Sequence, residues 1–195
     1  MGPIAEVSGA QLTQTIRQRP VAADVVAGGR GVAAGEDAPL AAVENDDVAT
    51  FTARFASGEA GTFSCSRVAF GHPNSMQLTA LGTRGTAAWD LARTGELRLA
   101  DASSPDGLGG FRQVLANPSF PYFARGSSMA FPGVGLDQIS QFTYQAHAFL
   151  QQVAGITGEE ALLPCATFAD GYRQMRILDA VARSAASGGA AVAID

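Results

Sequence analysis

VATFTARFASGEAGTFSCSRVAF, residues 48–70, is the stretch on which the fold turns. Val48, Thr50, Thr52 and Arg54 alternate with Ala49, Phe51, Ala53 and Phe55, the period-two pattern of a strand with one face toward a core. Ser57-Gly58-Glu59-Ala60-Gly61 supplies a turn, and Thr62 to Phe70 returns, so the stretch predicts a β-hairpin.

Further strands are expected on both sides. Ile4 to Thr13 interleaves Ile4, Val7 and Leu12 with Glu6, Ser8 and Gln11. Asn74–Leu81, Thr86–Asp90, Glu96–Ala100 and Phe111–Leu115 follow at close spacing, with Gly82-Thr83-Arg84-Gly85 as a tight turn and Ser103–Gly110 as a loop. Such spacing predicts an antiparallel meander, because parallel pairs need long crossovers. Residues 19–47, rich in Ala, Gly and acids, predict a long connection.

Beyond Leu115 the pattern changes. Asn117–Gly135 holds three prolines, four aromatics and three glycines and predicts an irregular loop. Asp137 or Ser140 caps a helix to Val153 with an expected inward stripe of Phe142, Ala146, Phe149, Leu150 and Val153; Gly155 ends it. Thr167 caps a longer helix to about Ser187, with a stripe of Phe168, Tyr172, Met175, Leu178, Val181, Ala182 and Ala185. Ala190–Asp195 is a last short strand. Strands first and helices after predict an α+β domain over residues 1–195: one open-faced, mainly antiparallel sheet with helices on one face. Its other face is expected to be covered by a subunit or domain contact.

Composition narrows function. Hydrophobic residues make up 47% and charged residues 16%, which suits a packed globule. A net charge of −5 argues against nucleic acid, which needs a basic face. No apolar run approaches about 20 residues and the N-terminus lacks a basic, then apolar leader pattern, so a cytoplasmic protein without a membrane role is expected. Cys65 and Cys165 lie outside any CxxC and are expected as buried, reduced thiols. All 13 basic residues are arginine, so no lysine is available for proton transfer.

Few motifs carry chemistry. Gly29-Arg30-Gly31-Val32-Ala33-Ala34 fits a GxGxxA fingerprint, but Gly35, Glu36, Asp37 and Pro39 would break the helix that must hold a pyrophosphate, so a loop is expected. His72 sits in a turn, and His147 on the first helix has no ligand-spaced partner, so no metal site is signalled. A hydrolase or isomerase using either would lack a GxSxG nucleophile. The loop from Pro118 to Gly135 is richer. Tyr122, Arg125, Ser127, Ser128 and Asp137 stand among Phe120, Phe123 and Phe131, the mixture of hydrogen bonding and planar apolar contact that binds sugars and polyols. An ordered loop packing its own aromatics gives the same composition. Asp170, in the first turn of the long helix, could meet a ligand hydroxyl or serve the helix dipole.

The order of short motifs from Val48 to Ile194 resembles the C-terminal domain of the glucose-fructose oxidoreductase / inositol dehydrogenase / MocA family. They are Phe55-x-x-Gly58-x-x-Gly61-x-Phe63-x-x-Ser66, Asn74, Gly82-Thr83-x-Gly85, Phe142…Phe149-Leu150, Phe168-x-Asp170-Gly171, Ile177-Leu178-Asp179-Ala180, Ser184-Ala185 and Gly188. The resemblance implies a preceding Rossmann domain that binds NAD or NADP, and a sheet domain that shapes a sugar or polyol pocket and builds a homo-oligomer through its open face. It implies a proton-transfer lysine in the first domain's Glu-Lys-Pro motif, and an aspartate and histidine just before the strand that begins here at Ile4. None of these is in the chain, so by itself it is expected neither to bind the dinucleotide nor to transfer hydride.

Phe131-Pro132-Gly133-Val134-Gly135-Leu136 resembles the family's pocket-rim loop, here spanning residues 117–136. Many members carry histidine where this chain has Val134, so no catalytic role passes to it. Tyr122, Arg125 and Asp170 are the expected substrate contacts, and no catalytic, cofactor or metal residue is expected. The expected function is the substrate side of an NAD(P)-dependent dehydrogenase of sugars, inositol or related polyols. The alternative is a stand-alone oligomerising or ligand-binding module without activity.

Overall fold

The structure is a computed structural model and describes residues 2–21, 35, 37–72, 74–105, 107–120, 122, 136–159 and 161–194. Its contacts form two compact units: residues 1–70 with 167–195, and residues 71–166.

In the first unit the predicted hairpin forms with its return strand shifted, since β4 (Val48–Phe55) pairs antiparallel with β5 (Ala60–Ser66) rather than with Thr62–Phe70, setting Phe51 opposite Phe63. β1 (Ile4–Thr13) pairs with β4, and β10 (Val192–Ala193) pairs with β1, giving the order β10-β1-β4-β5. The connection after β1 is clamped at its ends by β2 (Gln18–Pro20) and β3 (Leu40–Ala42), which pair with each other; residues 22–34 and 36 lie outside the described residues.

The core of this unit is the contact of β1 with helix α2 (Phe168–Ala186). Val7, Ala10, Ala180 and Val181 are buried together, with Ile4, Phe51, Ile177 and Val192 packed around them. Fully burying a valine contributes about 1.5–3 kcal/mol. A bulge in β1 between Ser8 and Gln11 frees two amides, and both are satisfied from the other end of the chain. Gly9 N donates to Gly189 O at 2.8 Å, and Ala10 N to the buried Ser184 Oγ at 3.4 Å. The backbones meet so closely that a Cβ on Gly189 would lie 3.3 Å from Gly9 Cα.

This packing keeps Val181 and Ala185 of the predicted stripe of α2 and corrects its other members. Ile177, Ala180, Val181, Ser184 and Ala185 form the sheet-facing side, whereas Phe168, Tyr172, Met175 and Leu178 are exposed. Small residues won the inner face because the bulge and Gly189 bring the backbones too near for aromatics. The opposite face of the sheet carries Ser8, Thr50, Thr52, Thr62, Ser64 and Ser66, with an Arg54–Glu6 ion pair. It is a hydroxyl surface, not the apolar one that would force a cover. Cys65, expected buried, is exposed because β5 is an edge strand; Cys165 is half-buried, and both are free thiols.

The second unit is the predicted meander. β6 (Gln77–Gly82), β7 (Gly85–Asp90), β8 (Glu96–Asp101) and β9 (Arg112–Leu115) pair in sequence order, all antiparallel. Among the described residues backbone hydrogen bonding thus groups the strands into three sheets, where the sequence predicts a single one. The break falls where the chain leaves the β region, at Gly71 and at Asn74 with φ of 86° and 50°. Gly85 at the β6–β7 turn has φ of 150°, and a Cβ there would sit 2.2 Å from the Ala100 carbonyl oxygen.

Helix α1 (Gln138–Val153) opens at Asp137, whose carboxylate accepts from Ser140 N at 2.7 Å. Its amphipathicity is turned round relative to the sequence expectation. Phe142, Phe149, Leu150 and Val153 are exposed, while Tyr144, His147, Ala148 and Gln151 face inward. The segment after the helix is the cause, because it folds back along the polar side. Gln151 Oε1 accepts from Leu162 N at 2.8 Å, and Gln152 Oε1 from Cys165 N at 2.9 Å.

Candidate functional site

Tyr122 follows a turn in which Asn117 Oδ1 accepts from Ser119 N at 3.0 Å, an Asx arrangement that reverses the chain. Its hydroxyl donates to Leu163 O at 3.3 Å, and its ring meets Tyr144 of α1 edge to face, with centroids 6.4 Å apart. Tyr144, His147 and Gln151 continue along the same side of α1, and Gln151 Nε2 lies 3.3 Å from His147 Nε2. This is a patch of aromatic edges, amide and imidazole, chemistry suited to a polyhydroxylated ring.

Asp170 is committed to its own helix. Its Oδ2 accepts from Thr167 N at 2.8 Å and Thr167 Oγ1 at 2.7 Å, the Thr167 hydroxyl takes the Asp170 amide in return, and Oδ1 meets Arg173 at 3.3 Å. This is a capping box. The Thr167 backbone N–H, then its hydroxyl, with Arg173 adding charge, hold the carboxyl below the ordinary carboxylate range against the effect of burial.

Tyr122 belongs to the second unit and Asp170 to the first. Arg125, Ser127, Ser128, Phe123, Phe131 and Val134 lie outside the described residues, as does the Gly29–Ala34 fingerprint. Sequence reading missed Tyr144 as a neighbour of Tyr122 and Gln151 as a neighbour of His147; the spacing of the three α1 residues, three and then four, was the available signal. His72 is exposed in its turn, and no group of three metal-ligating residues occurs among the described residues. No helix among them is long and apolar enough to cross a membrane.

A dinucleotide does not fit the described residues. It needs a helix N-terminus with free amides for the pyrophosphate. The starts of α1 and α2 instead carry their own carboxylates, which would repel an anion: Asp137 accepts from Ser140 N, and Asp170 sits in the first turn of α2 with its amide given to the Thr167 hydroxyl. All the described strand pairs are antiparallel, so no strand–helix–strand crossover frames such a site.

The profile of an oxidoreductase family, C-terminal alpha/beta domain, matches residues 11–194. The chain belongs to the glucose-fructose oxidoreductase / inositol dehydrogenase / MocA family, as its C-terminal domain. Levoglucosan dehydrogenase of Pseudarthrobacter phenanthrenivorans is 32% identical over 157 residues, covering 80% of this chain and 38% of that protein. A levoglucosan dehydrogenase structure in complex with NADH and L-sorbose superposes with a TM-score of 0.82 at 28% identity, over 100% of this chain and 46% of that one. An NAD-binding oxidoreductase from Klebsiella pneumoniae gives a TM-score of 0.79 at 28% identity, over 99% and 46%. This family member therefore spans less than half the length of the relatives it matches. The α+β class and the antiparallel pairing read from sequence are those of the family.

Proposed function

We propose that this domain forms the substrate side of an NAD(P)-dependent dehydrogenase that oxidises a secondary alcohol of a sugar, inositol or related polyol, or reduces the corresponding ketone. The observation that carries the reading is the family match over residues 11–194 together with the levoglucosan dehydrogenase relative. The nicotinamide, which accepts the hydride, and the base that takes the alcohol proton belong to a Rossmann domain outside this chain. That division is supported by the absence of lysine from the sequence and by the two carboxylate-bearing helix starts. The chain's own residues bind and orient. Tyr122 and Tyr144 offer ring edges and a hydroxyl and Arg125 a donor fork, while Asp170 Oδ1, which the capping box leaves to Arg173 at 3.3 Å, keeps a lone pair for a ring hydroxyl.

The exposed stripe of α1 and the hydroxyl face beside β4 support a place within a larger assembly. Serine and threonine hydroxyls both donate and accept, so that face is complementary to a second copy of itself about a two-fold axis. A cytoplasmic location accompanies this reading, supported by two free thiols.

The reading is tested by purifying the protein from its native source, with whatever sequence flanks this chain, and following reduction of NAD and NADP with levoglucosan, myo-inositol and glucose. Turnover of at least one of these is expected; a dinucleotide-binding protein that oxidises no polyhydroxylated ring would overturn it. The core closed between β1 and α2 favours a second reading, a self-sufficient ligand-binding or assembly module, and a protein with no dehydrogenase activity would favour that.

A further inference from the structure

Where β4 begins and β5 has just ended, a cavity of about 420 Å³ opens between Arg19, Ala42, Val43, Glu44, Asn45 and Arg67. Two arginines from distant parts of the chain line it, and the backbone fixes both. Arg19 is held in β2 by pairing with Ala41, and Arg67 N donates to Asp47 O at 2.8 Å.

The nearest fixed acid is already spent. Asp47 is buried, its side chain 1% exposed, and its Oδ2 accepts from Ile16 N at 2.7 Å and Thr15 N at 2.8 Å. Arg19 reaches its Oδ1 only at 4.0 Å, with half of the arginine side chain still exposed. Among the described residues no carboxylate comes within ion-pair distance of the Arg67 guanidinium, and Glu44 pairs with neither arginine. Guanidinium forks match the planar oxygens of carboxylates and phosphates. A cavity of this size lies in the range that takes a small molecule and exceeds what a bare ion fills. The chain as a whole carries a net charge of −5, so this is a local donor cluster on an acidic protein.

We propose that this cavity is an oxyanion site that takes the phosphate or carboxylate group of a small molecule between Arg19 and Arg67. Asn45 adds an amide donor, and Glu44 accepts a hydroxyl from the uncharged body of the same ligand. Because the site draws only on residues of the first unit, it stands whether or not the dehydrogenase reading does.

The test is isothermal titration of the full chain with glycerol phosphate, succinate and inorganic phosphate, against sodium chloride at matched ionic strength. Saturable binding of at least one oxyanion is expected, and the preference between phosphate and carboxylate names the ligand's charged group. Arg67→Gln and Arg19→Gln should each weaken it about tenfold or more, while Arg67→Lys restores only part, because the fork is lost. Arg183→Gln, whose native partner is Asp179 at 2.9 Å, serves as the control and should leave binding unchanged. Both cavity arginines are solvent-accessible, and thermal melts check that the variants fold. Binding no stronger than chloride, or affinity unmoved by Arg67→Gln, would overturn the proposal.

Discussion

The two helices of this chain have similar lengths and capped starts, yet opposite relations to their apolar residues. α2 lays Ala180 and Val181 on Val7 and Ala10, and Ala180 is 0% exposed. α1 turns Phe149 outward with 57% of it exposed and gives its inner side to Tyr144, His147 and Gln151. One helix closes a core that this chain supplies. The other spends its polar side holding its own following segment and leaves its apolar stripe exposed. Helical periodicity measures how apolar residues cluster, and it is silent on whether the cover comes from the same chain.

The comparison is broken most severely by a charge at its buried end. Ala180→Asp places an unpaired carboxylate in the β1–α2 contact and should cost about 4 kcal/mol or more, abolishing a cooperative melt in circular dichroism. Gly85→Ala tests the second unit: its Cβ would meet the Ala100 carbonyl at 2.2 Å. A loss of about 2–4 kcal/mol by denaturant unfolding is expected, by combining strain with a disturbed ladder. An unchanged midpoint would mean that the β6–β7 turn is not built around a residue without a side chain.

Smaller changes sharpen it. Thr167→Ala removes half of the capping box of α2 and should cost about 1 kcal/mol. The Asp170 half is read by pH. Its carboxyl lies below the ordinary value of 3.8, so its contribution is complete above that pH and is lost as pH falls through the lower, folded value. The stability gap between parent and Asp170→Asn should therefore be steady near neutrality and close in acid below 3.8. Phe149→Ser on α1 should change stability of the chain by only about 0.5 kcal/mol or less. A larger loss in the native-length protein is the expected result of the proposed assembly; equal small losses in both would mean that the stripe stays bare.

Much of the fold was legible. The alternation of Val48–Phe55 named the face that Phe51, Ala53 and Phe55 share, Thr167 marked the start of α2, and Asp137 was one of the two candidates for the start of α1. What failed were the inward faces of the helices. The face of α2 was decided by a bulge at Ser8–Gln11 and a backbone contact at Gly9–Gly189, two close approaches that leave no trace in hydrophobic period. The face of α1 was decided by Gln151 and Gln152 reaching amides more than ten residues on. Of the expected substrate contacts, Tyr122 was legible as an aromatic donor in a loop, but its partners Tyr144 and Leu163 follow only from tertiary folding. Asp170 illustrates the reverse case: the sequence pattern of a cap, Thr-x-x-Asp, is the arrangement found.

In the proposed division of labour this domain handles the substrate while the dinucleotide is handled elsewhere. Steady-state kinetics of Tyr122→Phe in the native-length protein test it most directly. The account predicts a raised KM for the sugar or polyol, with the KM for NAD or NADP unchanged and thermal stability near that of the parent. A shift in the dinucleotide KM with the polyol KM unmoved would contradict it.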